Sequence, residues 1–206
     1  MCGIVGYIGS QNAQDFVIDG LEKLEYRGYD SAGIAVNTGE DKLSVVKKEG
    51  RLHNLAEVLK EHPLKGTMAI GHTRWATHGK PSDENSHPHY NKDKSLVVVH
   101  NGIIENYLEL KKELTAKGYE FSSETDTEVV AHLLSELYEG DLLEATRKLL
   151  TIIKGAYALG IMSVNEPDRL IAVRKESPLI VGIGQGENFI ASDIPAILKY
   201  TRDVYL

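Results

Sequence analysis

The sequence contains one cysteine, one tryptophan and three phenylalanines among 206 residues. A single cysteine cannot form a disulfide within the chain, which excludes the small secreted domains that such bonds hold together. Basic residues are also in deficit, because 23 lysines and arginines stand against 30 aspartates and glutamates and the formal net charge is -7. Without a basic excess the chain has no general affinity for nucleic acid or for an anionic membrane. The expected partners are small molecules or proteins.

Near its start the sequence lacks the apolar run of a secretion signal, since the stretch from Ile4 to Ile8 is short and the first charged residue is Asp15. We therefore expect a cytoplasmic protein. No linker, repeat or low-complexity tract divides residues 1–206, which favours one domain. Residues 203–206 resemble the middle of a strand, so we expect the natural domain to continue slightly further.

Short β-rich runs and amphipathic stretches alternate along the chain and predict an α+β fold. Strands are predicted near residues 4–8, 34–36, 43–46, 68–70, 96–99, 156–162, 170–173, 179–183 and 188–191, and helices over 16–24, 52–59, 107–114, after 126 and from 142. Thr125 three residues before Glu128 predicts a capping box. The short connections between the last strands require antiparallel neighbours. We expect two sheets packed face to face with helices outside.

Cys2 directly follows Met1, so removal of Met1 would leave a thiol on the N-terminal residue. An α-amine has a pKa of about 8 and a thiol one of about 8.5, so near neutral pH the amine can take the thiol proton. Nucleophile and base would then belong to one residue. The alternative is that a lone cysteine is simply a small, buried apolar residue.

Four polar clusters lie at the ends of predicted strands or helices, where loops on a rigid scaffold often carry chemistry. They occupy residues 26–31, 71–79, 100–102 and 123–127. In the second cluster Arg74 offers a planar fork of donors suited to a carboxylate, and Trp75 is a candidate for the rigid part of a lid. In the third, the Asn101 side-chain amide and the Gly102 backbone N–H are two neutral donors of the kind that an oxyanion site requires.

Each cluster also has an ordinary structural interpretation. Arg74 could pair with a surface acid, Asn101-Gly102 is a common hairpin turn, and an acid at a helix start often only caps the helix. Five histidines between positions 72 and 100 raise the possibility of a metal site, at His72, His78, His87, His89 and His100. Their spacing fits no common zinc motif, and histidines in loops more often fix geometry by hydrogen bonds.

Taken together, the clusters resemble the glutaminase domains of glutamine-fructose-6-phosphate aminotransferases, which are class II glutamine amidotransferases. The resemblance covers essentially the whole chain and rests on residues 2–6, 27–33, 73–79, 100–106 and 123–128. Amidotransferases that open purine synthesis share Arg-Gly-x-Asp-Ser-Ala-Gly but differ in the other clusters. The resemblance implies a four-layer αββα sandwich of the N-terminal nucleophile hydrolase type, with two antiparallel sheets between helical layers.

The resemblance also implies a role for each catalytic group. Cys2 would attack the side-chain amide carbon of L-glutamine, with its own α-amine acting first as base and then as acid toward ammonia. Asn101 and Gly102 would hold the oxyanion. Arg74 would bind the substrate α-carboxylate and Asp126 its α-ammonium group.

Further positions carry lesser roles by the same resemblance. Thr77 and His78 would line the substrate loop, Trp75 would move with the lid, and Arg27 and His87 would support the site. No cofactor and no metal are implied.

In the full-length family enzyme, an isomerase half uses the ammonia to make glucosamine 6-phosphate from fructose 6-phosphate. These 206 residues contain nothing resembling that half. We expect the chain to hydrolyse glutamine without making a sugar product. The alternatives are an amidohydrolase of the same fold with another substrate or acceptor, a non-catalytic glutamine-sensing module, and a metal hydrolase built on the histidines.

Overall fold

A computed structural model describes residues 2–206, which form strands, helices and short connections. The strands are β1 (Gly3–Ile8), β2 (Ser31–Asn37), β3 (Ser44–Glu49), β4 (Met68–Arg74), β5 (His89–Tyr90), β6 (Leu96–Ile104), β7 (Gly155–Ser163), β8 (Leu170–Lys175), β9 (Ile180–Ile183), β10 (Asn188–Ala191) and β11 (Asp203–Tyr205). The helices are α1 (Ala13–Glu22), α2 (Leu52–Glu61), α3 (Tyr107–Ala116), α4 (Glu128–Leu137) and α5 (Leu142–Leu150). Two 3-10 turns span Glu25–Arg27 and Ile194–Ala196.

The strands form two antiparallel sheets. The larger has seven strands in the order β11-β9-β10-β1-β4-β2-β3, and the smaller has four in the order β5-β6-β7-β8. Each of the strand pairings is antiparallel, as the short connections predict. β1 is the middle strand of the larger sheet, so Gly3, next to Cys2, pairs with Thr73 on β4, and from Val5 onward β1 is held by ladders on both sides.

Three apolar clusters define the layers. One lies between the two sheets and includes Ile70, Val99 and Met162. A second packs α1 and α2 on the outer face of the larger sheet, and a third packs α3, α4 and α5 on the outer face of the smaller sheet. The expected α+β class, with two sheets between helical layers, is therefore confirmed. None of the helices within residues 2–206 is long and apolar enough to cross a membrane.

Two strands run further than the sequence pattern predicts. β4 continues beyond Ile70 to Arg74, and β6 continues beyond Val99 to Ile104. The apolar periodicity ends where the polar side chains begin. The ladder of backbone hydrogen bonds continues past that point, since Gly102 still pairs with Tyr157 on β7. The Asn101-Gly102 step is consequently inside a strand, which excludes the hairpin-turn interpretation.

The prediction of a capping box between Thr125 and Glu128 at the start of α4 is wrong. The N-cap residue is Thr127, and it makes no side-chain cap hydrogen bond. The Glu128 carboxylate instead accepts from the backbone N–H groups of Ser122 at 2.9 Å and Ser123 at 2.7 Å. The Thr125 hydroxyl lies within hydrogen-bond distance of a His89 ring nitrogen, at 3.0 Å. Residues 122–127 are thus folded back onto the first turn of α4.

Candidate active site

A cavity of about 340 Å³ opens where β4, β6 and the start of β1 come together. It is lined by every residue that the sequence nominated for the site except Arg27, namely Cys2, Arg74, Trp75, Thr77, His78, His87, Asn101, Gly102 and Asp126. Residues separated by more than a hundred positions in the sequence therefore share one enclosed volume. It is of the size in which proteins usually bind small molecules.

The Cys2 side chain is fixed by the backbone of Trp75. The Trp75 N–H donates to Cys2 Sγ at 3.1 Å, and the thiol donates to the Trp75 carbonyl oxygen at 3.5 Å. Burial raises the pKa of the Cys2 thiol, although the Trp75 N–H and the positive charge of Arg74 act in the opposite direction. The group is consequently a neutral thiol near pH 7 and requires a base before it can act as a nucleophile.

Asn101 and Gly102 lie on β6 beside the thiol. The Asn101 Nδ2 group donates to the backbone carbonyl of Cys2 at 3.0 Å. Gly102 has a φ of 110°, and a Cβ there would lie 2.1 Å from the carbonyl oxygen of Ala156. Only glycine fits this position, because both the left-handed backbone and the close approach exclude a side chain. Two neutral donors thus line the cavity next to Cys2.

Arg74 supplies a buried positive charge, with 3% of the residue exposed. Its guanidinium donates to the carbonyl oxygens of His78, of Gly79 at 3.0 Å and of Lys80 at 3.4 Å. It also lies 4.0 Å from the Asp30 carboxylate, which accepts the N–H of Ala76. The loop after β4 is therefore folded around the guanidinium.

Asp126 supplies a buried carboxylate on the same cavity, with 4% of the residue exposed. One of its oxygens accepts the Ile104 backbone N–H at 2.8 Å, and the other accepts the Thr127 hydroxyl at 3.4 Å. The cavity thus presents one cation and one anion from different parts of the chain. Such a pair is complementary to a ligand that carries both charges, as a free amino acid does.

Trp75 and its neighbours form the outer wall. Trp75 is 55% exposed, and its ring packs over Gly28, where a Cβ would lie 2.9 Å from the ring. Thr77 Oγ1 lies 3.2 Å from His78 Nδ1, and the His78 ring contacts the edge of Tyr107. Trp75 thus combines an exposed ring with a place in the lining of the cavity that contains Cys2.

Arg27 does not line the cavity. It donates to the Ser192 carbonyl oxygen at 3.1 Å and lies 3.6 Å from the Asp193 carboxylate. The Ser192 hydroxyl in turn accepts the Ile4 backbone N–H at 2.9 Å. Arg27 is therefore connected to the start of β1, which agrees with a supporting position.

Four buried histidines lie at the cavity, where His87 and His100 line it and His72 and His89 pack next to them. The His72 and His87 rings are stacked 4.1 Å apart, and the His89 ring meets His87 edge-on at 4.7 Å. The His100 Nδ1 atom lies 2.8 Å from the Thr127 hydroxyl. Burial lowers the pKa of all four, that of His72 to about 3. Within residues 2–206 no three histidine, cysteine, aspartate or glutamate side chains are grouped as metal ligands.

The buried histidines predict a steep loss of stability in acid. Each is neutral in the folded state and has a pKa near 6.5 when unfolded, so unfolding takes up protons once the pH falls below about 6.5. The contribution of the neutral histidines to the free energy of unfolding is fully present above that pH. As the pH falls toward 3, it declines by about 1.4 kcal/mol per pH unit for each histidine. Urea unfolding at several pH values between 8 and 5 would measure this slope.

Matched variants identify the groups responsible for this pH dependence. His89→Gln is expected to reduce the number of protons taken up on unfolding by about one. His62→Gln is the control, because His62 is an exposed histidine outside the buried group. A free energy of unfolding that stays constant between pH 7 and 5 would contradict the prediction.

Three positions at or next to the cavity were not singled out by the sequence. Asp30 orders the loop through Ala76 and Arg74, although the sequence marked it only as part of the polar cluster 26–31. Ser177 lines the cavity from the last third of the chain, and no motif marks it. His72 contacts Asn101 directly and was noted only as one histidine among several.

Comparison with known proteins gives one consistent result. Residues 72–199 match the model of a protein family described as a glutamine amidotransferase domain. The chain is 60% identical over 205 residues to a protein of Clostridium acetobutylicum named glutamine-fructose-6-phosphate aminotransferase [isomerizing], covering 100% of this chain and 34% of that protein. A protein of the same name from Caldanaerobacter subterraneus is 61% identical, again over 100% of this chain and 34% of its own length. The chain thus spans about a third of the curated relatives it matches.

Solved structures agree with this assignment. The glutamine phosphoribosylpyrophosphate amidotransferase of Bacillus subtilis superimposes with a TM-score of 0.81 at 32% sequence identity. The alignment covers 97% of this chain and 44% of that one. The sandwich described above is therefore the fold of a known amidotransferase.

Proposed function

The chain belongs to the glutamine amidotransferase domain family, and from this we propose that it hydrolyses L-glutamine to glutamate and ammonia with Cys2 as the nucleophile. One observation carries the proposal. The Cys2 thiol, the Asn101 amide, the Arg74 guanidinium and the Asp126 carboxylate all line one cavity of about 340 Å³. A nucleophile, an oxyanion donor and a partner for each charge of an amino acid are the groups that this reaction needs.

Substrate binding uses the two buried charges. The glutamine α-carboxylate would bind Arg74, and its α-ammonium group would bind Asp126. Thr77 and His78 would contact the substrate from the loop. An amide substrate lacking either charge would leave one buried ion unpaired, which is strongly unfavourable. This arrangement selects a free amino acid over a simple amide.

The chemical step begins at Cys2. Once Met1 is removed, the Cys2 α-amine accepts the thiol proton as sulfur attacks the amide carbon. The negative charge that develops on the substrate oxygen is stabilised by the Asn101 side chain and the Gly102 N–H. The protonated amine then gives its proton to the leaving ammonia, and water hydrolyses the thioester to glutamate. Trp75 would shield the thioester until the ammonia has left.

The relatives' names suggest where the ammonia goes. We propose that residues 1–206 are one amidotransferase domain that supplies ammonia to an isomerase half acting on fructose 6-phosphate, and that the isolated chain forms no sugar product. A nucleophilic cysteine suits a reducing compartment, and we assign the domain to the cytoplasm. Release of glutamate from L-glutamine by protein beginning at Cys2 tests the hydrolysis. Faster hydrolysis of another amide would instead indicate an amidohydrolase of different specificity.

The role of Asp126 predicts a specific change in selectivity. Asp126→Asn keeps an oxygen for the Ile104 N–H but removes the charge, so kcat/KM for L-glutamine should fall by about 30-fold or more. Glutaramate is glutamine without its amino group. Its kcat/KM should fall much less, because it has no ammonium group to bind the Asp126 carboxylate. Steady-state kinetics with both substrates measure the difference.

The matched control for this prediction is Glu120→Gln, which removes an exposed carboxylate outside the cavity and should leave both rates unchanged. Equal losses for L-glutamine and glutaramate in the Asp126→Asn protein would show that Asp126 does not recognise the α-ammonium group.

A further inference from the structure

His72 is a buried side chain that joins the two sheets directly behind the catalytic cysteine. It lies on β4, where it pairs with Ile4 on β1, and none of its surface is exposed. Its ring reaches β6, where Nε2 lies 2.9 Å from the His100 carbonyl oxygen and 2.9 Å from Asn101 Oδ1. His72 is therefore in direct contact with Asn101, the side chain that is proposed to stabilise the oxyanion.

The two contacts determine which ring nitrogen carries the proton. A backbone carbonyl oxygen can only accept a hydrogen bond, so the Nε2 atom facing His100 must be protonated. Burial lowers the pKa of His72 to about 3, so the ring is neutral at physiological pH and its Nδ1 atom carries no proton. Nδ1 has no hydrogen-bond partner among the residues that the structure describes. The His100 carbonyl thus fixes the tautomer of His72.

The tautomer of His72 in turn determines the orientation of the Asn101 side-chain amide. Since His72 Nε2–H donates to Oδ1, the Asn101 NH₂ group must point to the opposite side, where it donates to the Cys2 carbonyl at 3.0 Å. A flipped amide would set its NH₂ group against the Nε2–H and turn Oδ1 toward the carbonyl oxygen of Cys2. An oxygen in that position would repel the charge that develops on the substrate.

We propose that His72 is a positioning residue, which holds the Asn101 amide with its N–H donors directed at the substrate oxyanion. The proposal rests on the proposed function, because it assigns the means by which one element of that site is oriented. His72 is not among the residues that line the cavity, and its side-chain hydrogen bond to the site is the one to Asn101, so it would act through Asn101. Its removal should therefore lower kcat and leave substrate binding largely intact.

A double-mutant cycle tests this pathway. His72→Met keeps a buried, unbranched side chain without a donor, and we expect kcat to fall by about tenfold to a hundredfold with KM changed by less than about twofold. His72→Gln, whose amide can still donate to Oδ1, should recover most of the loss. His132→Met, which removes another buried histidine on α4, is the control and should retain full activity.

The decisive comparison is made in the Asn101→Ala background. There His72→Met should cause no further loss, because the side chain that it orients is gone. A loss of the same factor in both backgrounds would overturn the proposal. So would a rise in KM that accounts for the whole effect, since this would show damage to substrate binding.

A measurement without turnover separates this inference from the function itself. In protein labelled with ¹⁵N-histidine, we expect His72 to be the neutral Nε2–H tautomer throughout pH 6 to 8, even when Cys2 is replaced by alanine. An Nδ1–H tautomer overturns the proposal whatever the activity. Absence of glutamate release from wild-type protein with the Nε2–H tautomer would reject the glutaminase function but leave the orienting contact established.

Discussion

Replacing Cys2 with alanine is expected to lower glutamate release from L-glutamine by about 10⁴-fold or more. Among residues 2–206, Cys2 is the one cavity-lining residue that would combine a nucleophilic side chain with its own α-amine as base, and water alone has no comparable activation. Binding should survive, because Arg74 and Asp126 are untouched. Calorimetric titration with L-glutamine beside a coupled glutamate assay would show binding without turnover.

Two controls make this result specific. Cys2→Ser retains an oxygen nucleophile in nearly the same position and should keep a small residual activity above that of the alanine variant. An electrophilic glutamine analogue should add its mass to wild-type protein and not to Cys2→Ala protein. If the alanine variant turns over glutamine at more than about a hundredth of the wild-type rate, Cys2 is not the nucleophile.

Protein that retains Met1 is expected to lose about 10²-fold to 10⁴-fold in kcat, which is the usual contribution of a general base. In such protein the Cys2 nitrogen is part of a peptide bond and cannot accept a proton. The remaining thiol has a pKa raised by burial, so it supplies little thiolate on its own. Preparations with and without Met1, distinguished by intact mass, should be assayed side by side.

The pH dependence separates loss of the base from simple obstruction. In processed protein kcat/KM should rise as an amine with a pKa of about 8 loses its proton. In protein retaining Met1 that rise should be replaced by one at higher pH, where the thiol itself ionises. Identical pH profiles in the two preparations would assign the base to another residue.

Much of the fold could be predicted from the sequence, because both sheets are buried and their strands are apolar over most of their length. The predicted segments near α2, α3 and β10 coincide with the observed elements almost to the residue. The short connections among the last strands correctly predicted that these strands pair in antiparallel fashion. The polar clusters also identified most of the cavity-lining residues, although they missed Ser177 and included Arg27, which lies outside the cavity.

What could not be predicted depends on contacts between distant parts of the chain. β5 has two residues and carries no periodicity that a sequence pattern could reveal. β4 and β6 continue into His72, Arg74 and Asn101 because neighbouring strands supply hydrogen bonds there, whatever the side chains are. The orientation of the Asn101 amide follows from a tautomer that only a carbonyl on the opposite sheet determines.

The position of β1 has a consequence for how this protein becomes active during synthesis. Cys2 is made before the rest of the described chain, yet β1 pairs with β10, where Val5 lies opposite Ala191. The Ile4 carbonyl then accepts from Ser192 at 2.9 Å, which completes the ladder beside the cysteine. Contacts over such long sequence separations form late and slowly. A nascent chain shorter than β10 therefore carries Cys2 without the sheet that positions it, and with the proposed mechanism amide cleavage would begin only after β10 has been made.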